Sequence, residues 1–261
     1  MAKRIIQGAR VIVTGASSGI GRALATELAT GDAKLLITAR RQTLLDELAT
    51  SLRAQGSIVE LVAGDLTDPE VRESIIRHAI EQFGGIDILV NNAGVGALGR
   101  FMNADPTRLR RIMEINFFAP AELTRAALSV LRKGTNPMVV NVGSILGHRA
   151  LPRMSEYCAS KFALTGFSEA LRGECVPMGI DLLLVSPGTT QSEFQQQMLE
   201  RQGEIPWPMP QGVTAEVVAQ RIVRAMRRGR PHIIPDLRGW LLHTANRAAP
   251  TLLDRWLTRY G

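Results

Sequence analysis

Short apolar runs rich in β-branched residues alternate with stretches of helical character along most of this chain, and few architectures accommodate that pattern. Val11-Ile12-Val13-Thr14 is the first such run and reads as a buried strand. Residues 34–38, 57–63, 86–91, 137–142 and 181–185 repeat it, and residues 231–234 form a short seventh candidate. Between them lie helical stretches at residues 22–29, 41–55, 69–83, from 105 to about 131, and 155–177. The stretch at 69–83 is opened by Thr67, Asp68 and a proline. Strands that alternate with helices specify a parallel sheet covered on both faces, joined by right-handed crossovers. No linker, internal repeat or low-complexity segment interrupts the series. The 261 residues are therefore expected to form one α/β domain large enough to bury a sizeable core.

The first strand runs into Gly15-Ala16-Ser17-Ser18-Gly19-Ile20-Gly21 and then a helix. Strand, glycine-rich turn and helix together make a dinucleotide hypothesis. Glycines let the backbone approach a pyrophosphate, and the helix N-terminus offers free N–H groups at a positive dipole end. The spacing is Gly-x-x-x-Gly-x-Gly, and a purely structural turn is the alternative. A second feature is Ser155-Glu156-Tyr157-Cys158-Ala159-Ser160-Lys161, with Ser144 upstream. Tyr157 and Lys161 are four residues apart and share a helix face. A free phenol has a pKa of about 10, and an ammonium held close favours the phenolate, moving it toward the working range. The Ser144 hydroxyl is suited to hydrogen-bond the oxygen of a reacting carbonyl or alcohol. Alone, a tyrosine and a lysine one turn apart are also an ordinary helix face. The nucleotide turn is what gives the pair weight.

The formal net charge of +7 is carried mainly by arginine, densest at residues 108–111, 221–230 and 238–259. These are read as solvated helix faces, so nucleic acid is not expected as a partner. Cys158 and Cys175 have no metal-ligand spacing, and no cluster of His, Cys or carboxylates does, so no metal is expected. Cys158 points about 100° away from Tyr157 on a helix and reads as a packed small residue. No signal-peptide core and no apolar run near the roughly 20 residues of a membrane span is present. The expectation is a soluble, cytoplasmic protein.

From residue 189 to about 213 the alternation lapses, with Phe194, Met198, Leu199, Trp207 and Met209 as apolar anchors. Such an excursion reads as a substrate lid, with packing on a neighbouring subunit as the alternative. Residues 236–261 resemble an amphipathic helical tail, its leucines and tryptophans interleaved with arginines. Docking onto its own domain or a partner subunit is preferred to a membrane surface, and membrane association is not expected.

With these residues placed, the chain resembles the short-chain dehydrogenase/reductase family over about residues 8–235. Thr14 to Gly21 is similar to the family's cofactor turn, Asp65-Leu66 to its adenine contact, and Asn91-Asn92-Ala93-Gly94 to its signature. Asn116 falls where the family has a catalytic-site asparagine, Ser144, Tyr157 and Lys161 complete the set, and Pro187-Gly188 follows the sixth strand. The resemblance implies a Rossmann-type doubly wound sheet and an oxidoreductase interconverting a carbonyl and an alcohol. In that role Tyr157 passes a proton to or from the substrate oxygen, and Lys161 lowers the Tyr157 pKa and binds the nicotinamide ribose. Ser144 polarises the carbonyl, and the Asn116 position holds a water that links Lys161 to solvent. Cofactor contacts carry over to Gly15, Ser17, Gly19, Ile20, Gly21, Asp65, Leu66, Asn92, Ala93, Gly94, Tyr157, Lys161, Pro187, Gly188 and Thr190. Ser192 keeps a hydroxyl where the family often has threonine.

Cofactor choice rests on Ile37-Thr38-Ala39-Arg40-Arg41. Ala39 stands where NAD enzymes place an acid, and Arg40, with Ser17, suits the 2′-phosphate of NADP(H), which is expected over NAD(H). His148 lies on the loop that faces the site by analogy, either touching substrate or incidental. The lid residues suggest an apolar small-molecule substrate. The family's long crossover helices, here around residues 107–131 and 155–176, imply a homodimer or homotetramer. A non-catalytic NADPH sensor is the rival reading, although such proteins tend to lose the tyrosine or the lysine and this chain keeps both.

Overall fold

The computed structural model describes residues 4–207 and 211–260. Six strands, Arg10–Thr14 (β1), Lys34–Ala39 (β2), Val59–Ala63 (β3), Ile88–Asn91 (β4), Met138–Val142 (β5) and Asp181–Val185 (β6), are followed by three two-residue strands. These are Thr190–Gln191 (β7), Val213–Thr214 (β8) and His232–Ile233 (β9). The helices are α1 (Gly19–Ala29), α2 (Gln42–Ala54), α3 (Pro69–Phe83), α4 (Arg108–Met113), α5 (Ala119–Leu131), α6 (Ser155–Cys175), α7 (Ala215–Arg227), α8 (Leu237–Ala248) and α9 (Pro250–Leu257). The main sheet is parallel, with seven strands in the order β3-β2-β1-β4-β5-β6-β9. This is the Rossmann-type doubly wound sheet that the alternation predicts, with the short seventh candidate at its edge.

Side chains alternate across each strand. Val11 and Val13 enter one core layer, with Leu24 and Leu28 of α1, Leu45 and Leu48 of α2, and Ile222 of α7. Ile12 enters the opposite layer, with Ile75 of α3, Leu123 and Leu131 of α5, and Leu171 of α6. A strand covered on both faces has no polar side, which is why the runs read as continuously apolar. Helix ends follow local chemistry. Asp68 accepts from the Glu70 N–H at 2.9 Å, Pro69 takes the first turn of α3, and Gly84 closes it at φ 74°.

Several elements depart from the sequence reading. α1 begins at Gly19, inside the glycine turn, not at residue 22. The helix expected from residue 105 starts at Arg108 and contains a π-helical segment, Glu114–Phe118, between α4 and α5. α7 was anticipated only as the basic helix face at residues 221–230, without its start or its apolar side. Thr214 caps it, and Val218, Ala219, Ile222, Val223 and Met226 bury its inner face, which packs on α1. Within the basic stretch 108–111, Arg110 and Arg111 are exposed as expected, but Arg108 is buried in ion pairs with Glu156 and Glu200.

Beyond β6 the chain leaves the sheet. β7 pairs with β8, and the segment between them is stitched to the loop after β4, where Leu98 N–H donates to Glu200 O (3.0 Å) and Gln202 N–H to Leu98 O (2.8 Å). The tail packs back on the loops that follow β5 and β6. Asp236 accepts from the N–H groups of Gly188 (2.8 Å) and Gly239 (2.6 Å), while Arg149 donates to Asn246 (3.0 Å) and Asp254 (2.6 Å). No helix among the described residues is long and apolar enough to cross a membrane. The chain winds outward from β1 through β2 and β3, then returns to β4 and winds the other way. Crossovers on opposite sides open a crevice at that reversal, beyond the carboxyl ends of the strands.

Candidate active site

The crevice is a cleft of about 790 Å³, within the range of small-molecule sites. One end is the turn after β1. Gly15 (φ 68°) and Gly19 (φ 53°) occupy the left-handed region that strains other residues. Gly21 stands behind the wall, where a Cβ would lie 2.3 Å from Gly15 O and 2.4 Å from Asn92 Nδ2, so only glycine lets α1 pack under its own turn. Ser18, the N-cap residue of α1, makes no side-chain cap, which leaves first-turn N–H groups for an anion at the positive dipole end. Thr14 Oγ1 accepts from the N–H groups of Asn92 (2.9 Å) and Ala93 (3.0 Å), and Asn92 Nδ2 donates to Thr14 O (2.9 Å). These bonds lock the Asn-Asn-Ala-Gly stretch to the turn. Ser17, Gly19 and Ile20 line the cleft on one side, with Asp65, Leu66, Ala93 and Gly94 across from them.

At the rim, Ala39 ends β2 and two arginines follow. Arg40 is half exposed, its Nη1 4.0 Å from Asp65 Oδ2. Arg41 is drawn inward: Nε and Nη2 donate to Ser17 Oγ (3.2 and 3.0 Å), Nη2 also to Ser18 Oγ (2.6 Å), and Nη1 to Glu193 (3.0 Å). Sequence reasoning assigned the phosphate to Arg40 and treated Arg41 as a neighbour, yet Arg41 is the guanidinium gathered at Ser17. The glycine turn, the uncapped helix and the paired arginines fit the pyrophosphate and ribose end of a nicotinamide dinucleotide.

Tyr157 and Lys161 form part of the floor, one turn apart on α6. Lys161 Nζ lies 5.8 Å from the Tyr157 ring centroid and donates to Val142 O (3.0 Å). Ser144 follows β5, accepts from the Leu146 N–H (3.1 Å) and lines the cleft with the phenol. Enclosure disfavours the charged form of both α6 groups. Burial pushes the Tyr157 phenol up to about 12, only partly opposed by Ser144, and brings the Lys161 ammonium down to about 8. Lys161 is not among the groups that shift the phenol here, since desolvation dominates and the ammonium bonds a backbone carbonyl. Asn116 stands behind the floor in the π-helical segment, a feature often found at functional sites. Its Nδ2 donates to Val95 O (2.9 Å) and Ser160 Oγ (2.9 Å), and its Oδ1 accepts from the Val95 N–H (2.8 Å). A Cβ on Gly94 would lie 3.2 Å from Asn116 Oδ1 and 3.5 Å from Lys161 Nζ, so this glycine lets both approach.

Pro187, Gly188, Thr190 and Ser192 line another wall. Ser192 Oγ accepts from the Phe194 N–H (3.4 Å), and its Cβ lies 3.1 Å from where one on Gly19 would be, so the start of the segment between β7 and β8 lies against the glycine turn. Phe194, 5.5 Å from Tyr157 between ring centroids, lines the cleft with Met198 and Trp207. Leu199 does not, since it packs on Val95, Ala97 and Ile112 instead. Met209 lies outside the described residues. His148 also turns away: its Nε2 is 2.9 Å from Ser186 Oγ, which is 3.0 Å from His232 Nε2, and the His243 ring is 4.9 Å away. The tail supplies wall residues that sequence reasoning missed, namely Asp236, Leu253, Trp256 and Leu257. Asp236 carried a signal as a helix-capping type before an apolar stretch, but periodicity does not say where a tail docks.

The family model for short chain dehydrogenase matches residues 9–203, spanning the turn, the Asn-Asn-Ala-Gly stretch and the Ser144, Tyr157 and Lys161 set. This chain belongs to the short-chain dehydrogenase/reductase family. It is accordingly an oxidoreductase acting on CH–OH and C=O groups with NAD(P). This short-chain dehydrogenase/reductase is similar to "Dehydrogenase/reductase SDR family member 7B" of Bos taurus, 31% identical over 239 residues, covering 88% of this chain and 74% of the relative. It is similar also to "11-beta-hydroxysteroid dehydrogenase 1A" of Arabidopsis thaliana, 40% identical over 193 residues, 73% of this chain and 55% of the relative. The match thus spans about half the length of the plant protein. The fold superposes with a TM-score of 0.87 on a short chain dehydrogenase/reductase from Burkholderia phymatum in complex with NAD, 22% identical and covering 96% of each chain. With a TM-score of 0.79 it superposes on a short chain dehydrogenase from Burkholderia cenocepacia J2315 in complex with NADP, 28% identical, covering 88% and 97%. A nicotinamide cofactor is common to these two structures, and the 2′-phosphate is not.

Proposed function

We propose that this chain is an NADP(H)-dependent oxidoreductase that interconverts a ketone or aldehyde and its alcohol, with Tyr157 as general acid and base. The observation that carries the reading is the convergence of Ser144, Tyr157 and Lys161 on one cleft whose other end holds the glycine turn and two arginines. When bound, the nicotinamide supplies or takes up the hydride. Tyr157, held protonated at neutral pH by its burial, donates its proton to the substrate oxygen, which suits carbonyl reduction. Ser144 Oγ hydrogen-bonds the same oxygen and fixes its position. Lys161 binds the nicotinamide ribose, and Asn116 braces the Val95 backbone and Ser160 around it. Ala39 offers no carboxylate to a ribose 2′-hydroxyl, whereas Arg40, Arg41 and Ser17 suit a 2′-phosphate through charge-assisted hydrogen bonds. The substrate end is lined by Leu146, Leu151, Met154, Phe194, Met198 and Trp207, which favours an apolar compound. The plant relative's name, a hydroxysteroid dehydrogenase, agrees with a bulky one. Leu109, Phe118 and Phe162 are exposed on α4, the π-helical segment and α6, which supports a homo-oligomer through these helices.

The test is NADPH and NADH oxidation against a panel of ketones and aldehydes, starting with bulky apolar ones, for the wild type and Tyr157→Phe. Turnover with NADPH is expected, far slower with NADH, and kcat is expected to fall by about a hundred- to ten-thousandfold in Tyr157→Phe. Tight NADPH binding without turnover in either direction would make the protein a sensor instead. Activity that survives Tyr157→Phe would move the acid to another residue.

A further inference from the structure

Surface helices normally turn their apolar side to the core. α8 does the reverse. Its inward face carries Gly239, Leu242, His243 and Asn246, whereas its outward face carries Leu237, Trp240, Leu241, Thr244 and Ala248. The outward leucines and tryptophan are well exposed, Leu237 at 69%, Trp240 at 50% and Leu241 at 51%, and on α9 Leu252 is exposed at 63%. Arginines are interleaved with this surface: Arg238, Arg247, Arg255 and Arg259 are all exposed. Asp254 is the single acidic side chain of residues 237–261, and it is already paired with Arg149 at 2.6 Å. The patch is thus apolar at its centre and cationic around it.

We propose that the outward face of α8 and α9 docks on an anionic lipid surface, with Trp240, Leu241 and Leu252 entering the headgroup boundary and the arginines meeting lipid phosphates and carboxylates. Exposed leucine and tryptophan between arginines are what an interfacial helix presents to a bilayer. A nucleic acid would use the arginines but leave the leucine stripe wet. A second copy of this chain, related by a two-fold axis, would bring four arginines against four with only the engaged Asp254 to balance them. The docked face also forms part of the cleft mouth, because Leu237 and Trp256 are at once exposed and cleft-lining. A lipid-dissolved apolar substrate would reach the site without crossing bulk water. That consequence rests on the proposed oxidoreductase reading, whereas the docking itself does not.

The test is co-sedimentation of the full chain with vesicles of phosphatidylcholine alone and of phosphatidylcholine with 30% phosphatidylserine, requiring no turnover. Binding to the mixed vesicles is expected at low salt, at least about tenfold weaker on phosphatidylcholine alone, and lost at high salt. Arg247→Gln is expected to weaken it about fivefold. The double variant Trp240→Ser/Leu241→Ser is expected to abolish it while NADPH binding and melting temperature stay as in wild type. No binding to the mixed vesicles overturns the proposal. So does light scattering that shows a wild-type oligomer dissociated by the double variant, which assigns the face to a second copy. Equal binding to duplex DNA that the double variant leaves unchanged overturns it as well.

Discussion

The consequence of burial is clearest at Tyr157 and Lys161. The spacing of the pair puts both on one helix face, but only their common enclosure sends the phenol up and the ammonium down. The two rim arginines differ in the same way, since Arg40 reaches toward water and Arg41 is held by Ser17, Ser18 and Glu193. If both grip the 2′-phosphate, each change to alanine removes a charge-assisted bond of about 1.5–3 kcal/mol. Arg40→Ala and Arg41→Ala are then each expected to weaken NADPH binding by about tenfold or more and to leave NADH binding unchanged, as read by fluorescence titration. A loss confined to Arg41→Ala would assign the phosphate to Arg41 alone.

Among the elements, α6 carries Tyr157 and is anchored by its neighbour in sequence, Glu156. Arg108 of α4 meets Glu156 at 2.7 Å and Glu200 of the segment between β7 and β8 at 3.0 Å, and the first pair is almost fully enclosed, 2% and 3% exposed. Removing one member of such a pair leaves a charge buried without compensation, at a cost of about 3–5 kcal/mol. Arg108→Met is therefore expected to lower the urea midpoint strongly, and the double replacement Arg108→Met/Glu156→Leu to recover much of the loss. A single variant within about 1 kcal/mol of wild type would show that the pair is solvated. Arg108 was legible in the sequence only as part of a basic stretch, because charge patterning identifies a cation without saying which helix lies over it.

On the scale of the whole molecule, Ser186 lies between His148 after β5 and His232 on β9, with His243 of α8 packed against the same rings. Arg172 and Glu169 of α6 face this group. Burial pushes His232 down to about 4, and the neighbouring histidines act in the same direction. A histidine whose folded pKa lies below its ordinary 6.5 favours the neutral form in the folded state. Its contribution to stability is complete above about pH 6.5 and is lost as the pH falls toward about 4. The melting temperature is expected to drop across that window, and His232→Asn to flatten the drop. An unchanged profile in the variant would place the acid sensitivity elsewhere.

The parallel sheet, its seven strands, the glycine turn and the Ser144, Tyr157 and Lys161 set were all legible in the chain. Each is a local signal: apolar runs set by two covered faces, a turn that admits only glycine, and a spacing of one helical turn. The inward rotation of Arg41, the burial of Arg108, the turning of His148 toward Ser186 and the tail's share of the cleft wall were not legible. They depend on which surface a segment far along the chain settles against, and periodicity reports that a face is apolar without naming what covers it. On α8 it could not even say which way the apolar face points, because the His243 ring packs on His148 and Asn246 finds hydrogen-bond partners inside while Leu237, Trp240 and Leu241 face out.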